Sequence, residues 1–409
     1  MTISKTSLDS MPSSLGLYQV IFHLLVACMT LPVGYSISQN TVKKATSVLR
    51  ERDSPEPKKK QLKDDKQKVT KRHIKIIAKL AKRFQENERS PFYVPYAEKI
   101  VNEILKLCCL SESQARKLLD LEHLNISGDG SKLKAHSNSY GKKICKCQSR
   151  SCECKRFYNA KDASIGYDSY RDCYVFGHSL YQINSWSFDN KAELPTYLMM
   201  VTGSRHDSVP GMYACQRVTK SMGYHIDNAC LDTAHDATDF YIMARDIWKM
   251  KPFIPLNNTN EGNIKNLPML SVTEDGAPIC QAGHQMWYYG YCKDRDRLKW
   301  RCPIRAKKNQ NLKCDYLDSC SPSSYGRVVY THPADNPRLY TPVARGTQKW
   351  QDIYDHRTSA ERVFKREKND FDLCSFKTRS KERLLFYALL TAIAVHIDTW
   401  YRLDNPKSP

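Results

Sequence analysis

Three acidic residues stand where carboxylates can do chemistry. Asp129 follows a short apolar run, Leu124–Ser127, within Ile-Ser-Gly-Asp-Gly-Ser. Asp232 closes a second run, Ile226–Asp232, and leads into Thr-Ala-His-Asp-Ala. Glu361 lies in the first turns of a charged helical pattern, Thr358–Leu373. Flanking glycines leave the backbone at Asp129 free to turn and its carboxylate uncovered. If the two apolar runs are neighbouring strands, Asp129 and Asp232 lie side by side, and a helix crossing that edge adds Glu361. Three converging carboxylates repel unless cations neutralise them, and hard oxygen donors of this kind suit Mg2+ or Mn2+. Two such ions about 4 Å apart can activate a water or a 3′-hydroxyl and stabilise the leaving oxygen of an in-line phosphoryl displacement. A lone Asp at a strand end is also a common turn or cap residue. Asp227 and Asp236 compete with Asp232, which is preferred because it closes the apolar run ahead of a helix.

The surroundings of Glu361 sharpen this reading. Tyr354, Arg357, Glu361 and Lys368 are spaced Y-x2-R-x3-E-x6-K. On a continuous helix, positions 357, 361, 364 and 368 share one face, with Phe364 as its anchor. Cations flanking a metal-binding acid suit phosphate binding, although the same spacing fits an ordinary ion-paired helix. The spacing resembles the YREK signature of bacterial insertion-sequence transposases of the DDE type. Gly-Asp-Gly-Ser and Leu-Asp-Thr-Ala-His-Asp-Ala resemble that family's segments around its first and second Asp, with His235 departing from the more usual Tyr. The resemblance spans about residues 124–402.

It implies a ribonuclease-H-like core in which Asp129, Asp232 and Glu361 bind two Mg2+ or Mn2+ ions. Tyr354, Arg357 and Lys368 would hold phosphates near the transposon end. The implied reaction is cleavage at the transposon ends, then attack of the freed 3′-hydroxyl on target DNA, with no covalent protein–DNA intermediate. The implied partners are the terminal inverted repeats, target DNA and a second copy of the chain in a homodimer that pairs the ends. Two rivals stand beside it: a metal-dependent nuclease on the same core, and a non-catalytic, zinc-containing DNA-binding protein.

Cysteines form two groups. Cys145, Cys147, Cys152 and Cys154 make C-x-C-x4-C-x-C, a set able to bind Zn2+ tetrahedrally or to be free thiols in a loop. Lys142, Lys143, Lys146, Arg150, Lys155 and Arg156 surround them. Cys280, Cys292, Cys302, Cys314 and Cys320, with His284, are a second possible zinc ribbon. Trp287, Tyr288, Tyr289, Tyr291 and Trp300 sit among Lys293, Arg295, Arg297, Lys299 and Arg301. Such a stretch suits stacking on an unpaired base or, equally, cross-strand pairs in a hairpin.

The elements that must position these residues run in the order β-β-β-α-β-α-β, a long insertion, then α-α. Tyr174–Trp186, Leu194–Gly203, Ile226–Asp232 and Pro252–Leu256 read as strands, and Val209–Met222 and Asp236–Ile247 as helices. Ala97–Cys108 and Ser111–Leu121 read as two helices, the second capped by Ser111. Lys381–Arg402 is a mostly apolar helix whose run Leu384–Trp400 is too short to span a bilayer. The fold class is α/β, a mixed sheet flanked by helices with a β-rich insertion before the last catalytic helix. Five segments follow: 1–72, an N-terminal helix and basic arm; 73–122, a helical DNA-binding domain; 123–257, the first part of the core; 258–350, the Cys- and aromatic-rich insertion; 351–409, the rest of the core.

Net charge is +21 over 409 residues, which points to a polyanionic partner. Between Thr41 and Phe84 lie 16 Lys/Arg against 5 Asp/Glu, including Lys58–Lys60 and a basic helical face from Lys71 to Arg83. That face suits duplex DNA, although a solvated amphipathic helix has the same pattern. The apolar stretch Leu15–Ile37 is broken by Tyr18, Gln19 and His23 and has only Lys5 before it, so it reads as a buried helix rather than a signal or anchor. With 16 Cys, below the density of a disulfide scaffold, the chain is expected to be cytoplasmic, on the nucleoid, with reduced thiols.

Overall fold

The computed structural model describes residues 94–405, except 150, 155, 170, 258–270, 307–311 and 318. The basic arm, the basic helix and the apolar stretch Leu15–Ile37 lie outside the described residues.

The architecture is mixed α/β, a curled sheet with helices packed on it. Strand β1 is Leu124–Lys134, eleven residues rather than the four of the apolar run. Its partner is β5, Cys173–Trp186, paired antiparallel from Ile126↔Ser185 to Lys134↔Gly177. Two-residue strands β2 (Lys142–Lys143) and β3 (Arg156–Phe157) and strand β4 (Ser164–Asp168) lie between them in sequence. The length of β5 carries β1 beyond its apolar half. Asp129 therefore sits inside the strand rather than at its end, and the glycines on either side extend with it instead of turning. On its other edge β1 pairs parallel with β7, Ile226–Leu231, which pairs parallel with β8, Lys251–Phe253. Strand β6, Glu193–Thr202, pairs with Trp186–His178 of β5, and β4 takes up the remainder of the same edge.

The first helix, α1, runs through Tyr96–Leu105, a wider turn Lys106–Leu110 and Ser111–Ala115 without interruption. Ser111 has helical backbone angles and gives its hydroxyl to Lys106 O, so it is an interior residue and not a cap. The helix stops where Lys117 takes φ 59°. Its inner face covers the free edge of β6: Asn102 Nδ2 donates to Leu198 O at 2.8 Å and its Oδ1 accepts from Leu198 N at 2.9 Å. An uncovered strand edge would invite further pairing. Below, Arg217 Nη1 holds buried Glu98 at 2.7 and 2.9 Å.

Helix α2, Ser208–Gln216 continued by Arg217–Ser221, links β6 to β7. Helix α3, Thr238–Met243 continued by Ala244–Trp248, links β7 to β8. Then come α4, Gln348–Tyr354, the tight turn Asp355–Thr358, α5, Ser359–Asn369, and α6, Lys381–Asp404. At 24 residues α6 is longer than its apolar run implied. By length and composition it could cross a membrane, yet 61% of its most apolar window is buried against β6, α1 and α5. Buried His396 fastens it there, with Nδ1 2.9 Å from Ser113 Oγ and Nε2 2.8 Å from Pro195 O. Burial drives His396 down to about 4, so it stays neutral.

The insertion forms an antiparallel sheet of β9 (Trp287–Cys292), β10 (Arg297–Arg301) and β11 (Val328–Thr331) over a small core of its own. A buried ion pair joins it to the main sheet: Arg338 Nε lies 2.8 and 2.9 Å from the Asp236 carboxylate oxygens. Arg345 Nη2 reaches Ile254 O and the Tyr241 hydroxyl beside it.

Candidate active site and metal centre

Parallel pairing of β1 with β7 ends at Gly128↔Leu231, so Asp129 and Asp232 are the next residues on adjacent strands. Asp232 accepts from Ala234 N at 3.2 Å, capping a short turn, and faces His235 Nδ1 at 2.6 Å. His235 is fully buried, and its Nε2 lies 2.8 Å from the Tyr181 hydroxyl. Gly211 lets α2 approach this pair: a Cβ there would stand 2.6 Å from the His235 ring and 2.7 Å from Tyr181 Oη. Burial opposes charge on both Asp232 and His235. Their mutual bond prevails, lowering the Asp232 pKa with help from Arg357 and raising that of His235. The residue that departed from the expected Tyr is thus the one that orients Asp232.

Asp129 behaves oppositely. Burial, then the charge of Asp207, push its carboxyl up to about 7 against a bond from Gly130 N at 2.7 Å, and Asp232 adds to the rise. Negative charge at Asp129 is under-compensated by the surrounding protein groups.

Helix α5 is docked by a buried hydrogen bond between Ser127 Oγ and Ser359 Oγ at 2.6 Å. Cys230 Sγ approaches Ile353 O at 3.2 Å on the neighbouring strand. Tyr354 ends α4, stacked on Trp350 at 4.8 Å, and Arg357 lies in the following tight turn, so the four residues of the spacing motif do not ride one helix. Arg357 Nη2 donates to Glu361 Oε1 at 2.7 Å, and it also feels the charges of Asp232 and Asp129. Lys368 lies two turns further on, its ammonium 5.7 Å from the Phe364 ring centre rather than at the acids. Among the described residues, the three carboxylates do not bring their oxygens within 4.8 Å of one another.

Of the rival acids, Asp236 is the buried partner of Arg338, and Asp227 is at the surface beside His123 and His225. Sequence reasoning missed Asp207. It follows an apolar strand and precedes a helix, the signal that singled out Asp232, but four residues of loop separate it from the strand end.

A set of residues that could hold a metal is more fully formed in the loop between β2 and β3. Cys145, Cys147, Cys152 and Cys154 place their sulfurs within 4.8 Å of one another, with contacts of 3.1, 3.5 and 3.8 Å. A tetrahedral Zn–S distance of about 2.3 Å sets sulfur–sulfur edges of about 3.8 Å, so the set can hold a metal such as zinc. Hydrogen bonds among the thiols hold Cys152 down at about 7 and push Cys154 up to about 11. The second cysteine group is looser. Cys280, Cys302, Cys314, Cys320 and His284 line one pocket without Cys292, and His284 Nε2 lies 2.9 Å from Lys313 O.

The aromatic–cationic stretch divides by strand alternation. Tyr288 packs edge-on to buried Trp300 across the β9–β10 pair. Tyr289 and Tyr325 are exposed, with the Arg301 guanidinium 3.3 Å from the Tyr325 ring centre and Lys299 4.9 Å from that of Tyr289.

Comparison of the chain with known protein families and with curated proteins gave no match.

Proposed function

We propose that the chain is a DNA transposase of the DDE type, with a ribonuclease-H-like core that cleaves transposon ends and joins their 3′-hydroxyls to target DNA. The observation that carries this reading is the sheet order β6-β5-β1-β7-β8 with Asp129 and Asp232 at one level of the parallel β1–β7 pair. Helix α5, which holds Glu361, is fastened to β1, and α4, which leads into the turn holding Arg357, is fastened to β7. Donor chemistry fits Mg2+ or Mn2+: all the acids offer hard oxygens, and the raised Asp129 pKa marks charge that a divalent cation would offset. Asp129, Asp232 and Glu361 would hold two ions. Bound there, the ions would supply the charge stabilisation and nucleophile activation of phosphoryl transfer.

The protein's own groups then have distinct tasks. His235 and Tyr181 keep Asp232 ionised and aimed. Arg357, released from Glu361, is positioned to take a phosphate oxygen, and Tyr354 borders the same space. The exposed Tyr289–Arg301–Tyr325 face suits an unpaired base and its phosphate. The zinc hairpin, with Lys142 and Lys143 exposed on its base, suits duplex phosphates. Synapsis of two ends calls for a homodimer, acting on the nucleoid in the cytoplasm.

The test uses full-length protein, Mg2+, labelled DNA from either side of the coding region and a plasmid target. Joined product supports transposition. Cleavage without joining favours a nuclease, and binding without cleavage favours a zinc-containing DNA-binding protein.

A further inference from the structure

Between β1 and β4 the chain makes an excursion that the main core does not hold. None of the described residues from 142 to 159 is buried. The pairs Lys142↔Phe157 and Lys143↔Arg156 close its base. Gly141 lets the chain meet there: a Cβ on it would stand 2.7 Å from Arg156 Cβ and 2.8 Å from Tyr158 Cζ. Lys143 Nζ donates to Ser149 O at 2.6 Å, across the loop that carries the four cysteines. A two-stranded hairpin this short, with no apolar core, is not stable by itself. A metal on the four converging sulfurs can take the place of the missing core.

What the excursion carries instead is exposed apolar surface and positive charge. Tyr140 is 83% exposed, Ile144 63% and Phe157 44%. Residues 140–161 hold seven Lys/Arg against Glu153 as the one acid. Lys142 and Lys146 stand in solvent, and the Lys161 ammonium lies 5.6 Å from the Phe157 ring centre. Large apolar side chains clustered in water mark an interaction surface, and rings set among cations complement a partner that offers both phosphates and flat faces. The excursion leaves β1 at Lys134, five residues beyond Asp129 on the same strand. That is about 17 Å along the strand, or about half a turn of duplex DNA, so it begins within reach of a duplex held at the acids.

We propose that residues 140–161 are a metal-ordered DNA grip. Lys142 and Lys146 hold backbone phosphates, Tyr140 and Phe157 lie against the sugars and bases beside them, and metal bound by the four cysteines keeps these groups in one arrangement. The choice of DNA over another polyanion rests on the reading of the acid site as one that cuts DNA.

The experiment follows binding of a labelled duplex from beside the coding region to full-length protein without Mg2+, by fluorescence anisotropy over a salt series, with bound zinc measured alongside. Lys142→Ala with Lys146→Ala should flatten the slope of log affinity against log salt by about 1.8, at about 0.9 for each lost phosphate contact, and leave the zinc in place. Phe157→Ala should weaken binding severalfold with the slope unchanged, because a ring contributes no counterion release. Cys145→Ser with Cys152→Ser should lose the zinc and flatten the slope as the lysine pair does. Parent-like affinity and slope in the lysine pair, or in the zinc-free cysteine pair, would overturn the grip. So would parent protein that binds vesicles of phosphatidylserine and phosphatidylcholine but not DNA, which would assign the surface to a membrane. A flattened slope in the variants of a parent that never cleaves DNA with Mg2+ would keep the grip and remove the transposase reading alone.

Discussion

The acid site and the cysteine hairpin are opposites. Asp129 lies in β1, Asp232 just past β7 and Glu361 on α5, all over the main hydrophobic core, but their oxygens do not converge and Arg357 is bonded to Glu361. The four thiols sit in a loop between two strands of only two residues each, yet their sulfurs already converge. One has a frame without gathered donors; the other has gathered donors on little frame. Metal is therefore expected to control chemistry in the first and local folding in the second.

The largest effect that can break this contrast is on cleavage. Asp129→Asn, Asp232→Asn and Glu361→Gln should each lower Mg2+-dependent strand cleavage about a hundredfold or more while DNA binding survives. Normal cleavage by any one removes that residue from the site. Next comes Asp236→Ala, four residues beyond Asp232. Stranding Arg338 in the core should reduce stability by about 3 kcal/mol in urea unfolding, whereas Asp232→Asn should scarcely alter it. Equal losses would show that the two acids are not divided between frame and chemistry.

A smaller effect concerns Glu367, buried on α5, whose carboxyl is pushed by burial up to about 8 from 4.5 despite nearby Gln182, Lys368 and Arg366. The folded chain keeps a proton that the unfolded chain releases. This group's contribution to stability is therefore full below about pH 4.5 and is lost as pH rises to about 8. Melting curves across that range should flatten in Glu367→Gln; an unchanged slope would mean that Glu367 is already ionised. Smallest is the hairpin. Cys145→Ser with Cys152→Ser should remove bound zinc and expose the loop to protease, yet shift global stability by only about 0.5 kcal/mol. Cooperative loss of the whole fold would erase the contrast.

Much of the frame was legible because apolar runs mark β5, β6 and β7 and their connecting helices. The second half of β1 was not, since Ser131 to Lys134 alternates too weakly without knowledge of its long partner. Strand β4 was missed for a similar reason, with Gly166 at its centre pressed against Gly203 O. The site was legible where one residue sufficed, as at Asp129 and Asp232. It was hidden where three-dimensional neighbours decide, as with Asp207 against Gly130 or the bond from Arg357 to Glu361. Splitting the Tyr354–Lys368 motif between α4, a tight turn and α5 was also invisible, because helical spacing alone does not report a change of axis.

The bond between Ser127 and Ser359 spans 232 residues of chain. During synthesis, β1 and its partners can assemble long before Glu361 has left the ribosome. A nascent or truncated chain thus holds two of the acids but no means of completing the set. On the proposed reading, only a chain that has reached α5 can cut DNA, and the distance in sequence would act as a delay on that activity.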